Sequence, residues 1–252
     1  MKTSCLSIPG SICCHAVQKK CISELQLFCW LKLQCSGHFK INNQLLDKAY
    51  RELSITKPTF KKRINNLLKW RWIGLNSKSG SYHINSFKVL HNRLNDATII
   101  SVQWQGYNYN SFKGFVQAVA LYVVARKKDY YEITQAKENG RRVVAVGMKK
   151  GRSSLNGYLP SFSLPIHYVA KKLNITPSYV SKMKDAAKCT KYIHIRKQKQ
   201  EIKDSVMQSK KARKFHPDAH KFFYKNGKLY EQLPDKITFF FIAKRNRRLK
   251  HN

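Results

Sequence analysis

Residues 55–75 read ITKPTFKKRINNLLKWRWIGL. Phe60, Ile64, Leu67 and Leu68 stand at i, i+4, i+7 and i+8, the repeat of a single helix face. Thr56 is a cap residue type, and Pro58 falls in the first turn, where a missing N–H costs little. The spacing predicts a helix from Thr56 to about Trp70. With about 100° between successive residues, the opposite face carries Thr59, Lys62, Asn65, Asn66 and Lys69. Two short strand-like runs follow, Trp72–Leu75 and Ser81–Ile84, joined by the polar turn Asn76-Ser77-Lys78-Ser79-Gly80.

Upstream of that helix, Ile22, Leu25, Phe28, Cys29, Leu31 and Leu33 predict a first helix over 17–35, stopped by Ser36-Gly37. His38–Ile41 reads as a short extended piece. Asn42 or Asn43 caps a second helix with Leu45, Leu46, Ala49, Tyr50 and Leu53 on its buried stripe. Helix, strand, helix, turn, helix and hairpin, in that order, resemble a winged helix. The resemblance rests on ITKPTFKKRINNLLKWRWIGL followed by SGSYHIN (79–85) and covers 16–90. It implies a DNA-binding domain with a recognition helix at 56–70 and a wing tipped by Lys78. Residues 1–15 lack periodicity, contain Pro9-Gly10, and read as a flexible leader.

A second motif lies at 168–186, YVAKKLNITPSYVSKMKDA. It resembles a bacterial helix-turn-helix, with Ala170, Leu173, Ile175, Val180 and Met183 where that motif packs its two helices. Asn174 stands where the family often has Gly, and Asn tolerates the left-handed turn. Ser178, Ser181 and Lys182 then face outward, with Tyr179 at the flank. Around this motif we expect a second domain over about 96–200. It would hold a strand at 98–104, a helical stripe from Phe112 to Val123, a β-type run at 143–146 and a strand at 192–195. A basic loop presents Lys149, Lys150 and Arg152. Residues 197–218 read as a solvated helix or a disordered run. Asn226-Gly227 between aromatic runs signals a hairpin. The end, from Lys244, reads as a basic arm. The region 201–252 is thus linker, hairpin and arm. The expected fold is mainly α with small β-hairpins (α+β), a winged helix followed by a second helix-turn-helix domain.

The 252 residues contain 49 Lys+Arg against 13 Asp+Glu, a net charge of +36. The surplus is spread along the chain: 16 bases and 3 acids in 1–95, 15 and 5 in 96–190, 18 and 5 in 191–252. Such a chain needs a polyanion, and nucleic acid is the first candidate. With 42 % hydrophobic residues it can bury a core. Its longest apolar-rich stretch, Phe115–Ala125, is too short to span a bilayer. Six of seven cysteines crowd into the first 35 residues. Their odd number and spacing fit reduced thiols better than a disulfide framework or a zinc site. We expect no metal and no cofactor.

Catalytic signatures are missing from the sequence. The closest acid pairs, Asp129/Glu132 and Glu201/Asp204, sit among lysines and read as ion pairs, not as two-metal ligands. The segment GMKKGRSS (147–154) is not a phosphate-binding loop. The expectation is a non-enzymatic cytoplasmic, nucleoid-associated protein that binds double-stranded DNA. Lys62 would pair with guanine and Asn66 with adenine. A homodimer is allowed, and no membrane contact is expected. Two such units in one chain resemble plasmid replication initiators built from two winged helices, and equally suit a regulator of a phage or mobile element. The alternative is a structural protein that packages nucleic acid with little sequence preference.

Overall fold

Pro9-Gly10 marks a junction between a strand and a helix, where a loose leader was expected. In the computed structural model, which describes residues 5–94, 100–105, 108–139, 161–202, 222–240 and 243–245, β1 (Cys5–Pro9) runs straight into α1 (Gly10–Gln18). Pro9 is the N-cap residue of α1 in extended conformation. Ile8, Ile12, Cys13, Ala16 and Val17 are fully buried, so the described part of the expected leader contributes to the core. The single helix expected over 17–35 is also two, because the chain turns at 19–21 before α2 (Ile22–Gln34). There Lys20 adopts φ +55°. The N–H of Cys21 reaches back to Ala16 O at 2.9 Å and that of Lys20 to Val17 O at 3.2 Å, the two reversed bonds of a left-handed helix stop.

From α2 the order is β2 (His38–Phe39), α3 (Asn43–Leu53), α4 (Lys57–Lys69), β3 (Ile73–Asn76) and β4 (Ser81–Ile84), as the spacing predicts. The three strands form one antiparallel sheet in the order β2-β4-β3. Asn42 caps α3 by accepting the Leu45 N–H at 2.8 Å. A short helix, α5 (Phe87–Arg93), follows β4 and runs past residue 90, where the winged helix is expected to end.

The second half repeats this order. β5 (Ile100–Gln105) leads into α6 (Tyr109–Glu138), β6 (Ser161–Ser163), α7 (Ile166–Leu173), α8 (Pro177–Cys189), β7 (Ile193–Glu201), β8 (Phe222–Lys225) and β9 (Lys228–Phe239). Its sheet has the order β6-β9-β7, matching β2-β4-β3, with β8 added beside β9. The Asn226-Gly227 turn joins β8 to β9 as expected, both residues at positive φ. Residues 197–201, expected to be helical or disordered, extend β7. The second unit therefore ends in β9, well beyond residue 200. Lys149, Lys150 and Arg152, and the 143–146 run, lie outside the described residues.

The two halves join through a third sheet, β1-β5-β10, in which β10 is Ala243–Arg245. β1 pairs antiparallel with β5, Ser7 opposite Gln103. Antiparallel pairing is locally two-fold, so the start of one half faces the start of the other. α1 packs along α6, and one continuous hydrophobic core runs through both halves. The C-terminal arm is corrected at its root: Lys244 pairs with Ser101 and Arg245 with Ile100 in the sheet. The architecture is mixed α+β with small antiparallel sheets, and among the described residues no helix is long and apolar enough to cross a membrane.

Candidate nucleic-acid interface

The third helix of each half, α4 and α8, is set by the same local chemistry. Leu53-Ser54-Ile55-Thr56 introduces α4, and 120 residues later Leu173-Asn174-Ile175-Thr176 introduces α8. Ser54 and Asn174 both take the left-handed conformation, φ +53° and +50°. A proline follows within the first turn of each helix. Each helix ends in the same reversed-bond stop, with Arg71 and Lys191 at positive φ where glycine is usual. The Trp72 N–H reaches Leu67 O at 2.9 Å and the Tyr192 N–H reaches Ala187 O at 3.2 Å. Without a gap, Phe60 matches Val180, Leu67 matches Ala187, and Lys62 matches Lys182. All four apolar members are buried and both lysines are exposed.

The predicted residues separate into groups. Lys62, Asn65 and Lys69 on α4 are exposed, as are Ser178 and Lys182 on α8. Thr59 is half-buried, with its hydroxyl 3.0 Å from that of Thr56 at the helix start. Asn66 faces the scaffold instead of the outside: its amide donates to Glu24 Oε1 on α2 at 2.8 Å. That corrects its expected role as a base reader, and its match on α8 is Ala186, which has no polar group to offer. Ser181 is half-buried, and its hydroxyl donates to Pro177 O at 3.4 Å within the helix. Tyr179 is half-buried at the seam of the two halves, where Tyr179, Tyr109, Arg63 and Glu24 lie within electrostatic reach of one another. Burial lowers the Arg63 pKa from its ordinary value, and one buried guanidinium nitrogen has no hydrogen-bond partner among the described residues.

The hairpins carry further exposed charge. Between β3 and β4, Asn76 Oδ1 accepts the N–H of Lys78 at 3.0 Å and fixes the tip, leaving the Lys78 side chain exposed. The sheet between β7 and β9 sets Arg196 directly opposite Lys236, and the β8–β9 turn sets Lys225 opposite Lys228. Like charges directly opposite one another are unfavourable in a sheet. Lys228 is relieved by Glu201 at 3.2 Å. Lys199 lies over the Tyr230 ring at 3.6 Å, which in turn stacks on Phe223. A polyanion against these strands would relieve the remaining repulsion.

Interior titratable groups are held by burial and by pairing. Burial pushes the Cys21 thiol up to about 12 and raises Cys13 and Cys29 as well. Such thiols stay protonated and act as small apolar side chains. Lys184, on the inner side of α8, is buried and donates to Asp235 Oδ2 at 2.9 Å and Leu164 O at 3.2 Å. It ties the third helix to the β6 and β9 side of its sheet.

No family model, no curated protein and no solved structure matches this chain. Lys20 and Gln18, which join α8 at the seam, were invisible to spacing because they fall where one continuous helix is expected. The repeat itself had a signal, Leu-x-Ile-Thr at 53–56 and 173–176 with a proline just after it.

Proposed function

We propose that the chain is a non-enzymatic protein that binds double-stranded DNA sequence-specifically. In this reading the halves α2 to β4 and α6 to β9 are two winged helices, with α4 and α8 as their recognition helices. One observation carries it: two third helices in gap-free register, each with its apolar side buried, present Lys62 and Lys182 at the same outward position. A major-groove reader needs this division between a packed back and a donor-bearing front. Lys78 on the first hairpin, with the strands β7 to β9 of the second, would follow the phosphates beside each groove. The chain would act on the nucleoid, as a transcriptional regulator or as a replication initiator of a plasmid or phage. A homodimer is compatible with either role.

The opposed cations of β7, β8 and β9 favour a second reading, in which charge alone packages nucleic acid. Selection of bound duplexes from a random pool separates the two. Sequence-specific binding predicts an enriched duplex held at least about a thousandfold more tightly than random duplex at moderate salt. Equal affinity for all duplexes supports packaging.

A further inference from the structure

The two halves of the molecule are not equal where their long helices pass the third helices. In the second half α6 runs unbroken for 30 residues. In the first half the matching stretch is split into α1 and α2, and the break turns Lys20 outward in a left-handed conformation. The same break opens a notch of about 280 Å3 between the α1–α2 turn and the α7–α8 turn. Gln18 and Lys20 line it from the first half, and Thr176, Ser178, Tyr179 and Lys182 from the second. Among the described residues no carboxylate lines it, and neither Lys20 nor Lys182 makes an ion pair. The Thr176 Oγ1 accepts the Tyr179 N–H at 3.3 Å, so the hydroxyl proton is directed away from that bond.

We infer that this notch seats one backbone phosphate of the bound duplex, with Lys20 as the anchoring cation and the Ser178 and Thr176 hydroxyls as donors. The inference rests on the duplex-binding reading above and gives it a register. A concave site with cation and hydroxyl donors and no carboxylate fits a phosphodiester oxygen pair. The site is built jointly by the two halves, beside the first turn of α8. A phosphate held there would fix how far α8 slides along its groove. Lys182 stands at the rim, between this phosphate and the adjoining base edges. Lys20 therefore positions the duplex and carries no sequence information of its own.

The test is a scan of the selected duplex, replacing one phosphate at a time by an uncharged methylphosphonate, with full-length wild type, Lys20→Gly and Lys20→Arg. Glycine keeps the left-handed turn and removes the cation. Lys20→Asn, whose side chain also tolerates that conformation, serves if the glycine variant melts early. At one linkage, neutralisation should weaken wild type and Lys20→Arg about tenfold and leave Lys20→Gly unchanged. The salt slope of Lys20→Gly should flatten by about one unit, with its base preference intact. If Lys20→Gly responds like wild type at every linkage, the notch holds no phosphate. If wild type itself prefers no duplex over random, it is the duplex-reading function that fails.

Discussion

Asn66 stands among outward-facing residues by helical spacing, yet its amide is committed to Glu24. Angular position around a helix gives the direction of a side chain to within its own width, and a carboxylate on a neighbouring helix decides the rest. Asn66→Ala should therefore lower stability by about 1 kcal/mol, measured by thermal melting, and leave the selected base sequence unchanged. His15 makes a second prediction at this scale. It is half-buried against Trp72, with ring centroids 6.0 Å apart, and burial together with nearby Lys19 lowers its pKa below the ordinary 6.5. The folded state then resists protonating it. Its contribution to stability is complete above about pH 6.5 and is lost as pH falls toward the lowered value. Melting curves across this range should show a loss in wild type that His15→Phe, which keeps the packing without the proton, lacks in part. Equal pH dependence in both would refute the assignment.

Among the elements, the helices with a one-sided apolar stripe were legible. α3, α4, α7 and α8 lie where Leu53, Phe60, Leu173 and Val180 place them. Residues 5–18 were not legible, because the strand that holds Ile8 is only five residues long and Ile12, Cys13 and Val17 sit in a helix buried on nearly every side, with no polar face to set a period. Nor does sequence signal a helix stop when lysine, not glycine, takes the left-handed position, as at Lys20 and Lys191. The α8 helix also carries a cation on its buried side. Lys184 is stabilised there by Asp235, with side chains 5 % and 16 % exposed. Asp235→Ala should strand the ammonium and cost about 3 kcal/mol in chemical denaturation. Lys184→Met combined with Asp235→Leu should recover most of that loss, because no charge remains to be satisfied. A double variant as unstable as the single one would show that the pair is not what holds α8.

For the whole molecule, the two halves share one continuous core and one joining sheet. Both halves start in the shared sheet, and β10 returns the chain's end to it. A chain ending at residue 242 should then melt several degrees lower, from a loss of about 1–2 kcal/mol. One ending at 246 should melt like the full chain. The strand escapes sequence reading because Ala243–Arg245 is three residues long, runs into a cluster of cations, and gains its order only from pairing with β5. Beyond Leu-x-Ile-Thr and its proline, the match between the halves is hard to read, since most paired positions of the third helices share burial and not residue identity. Within α4 and α8 themselves, Lys62 and Lys182 are the exposed exception.

That exception gives the most direct measurement. Lys62→Ala and Lys182→Ala are each passed through duplex selection, alongside wild type and at one salt concentration. If α4 and α8 are equivalent readers, each variant loses discrimination at a different part of the same site, at a cost of about 1–3 kcal/mol per base contact. If instead both variants enrich the wild-type sequence undiminished and differ only in a flatter salt slope, the two lysines merely neutralise phosphates, and the sequence-reading account is wrong.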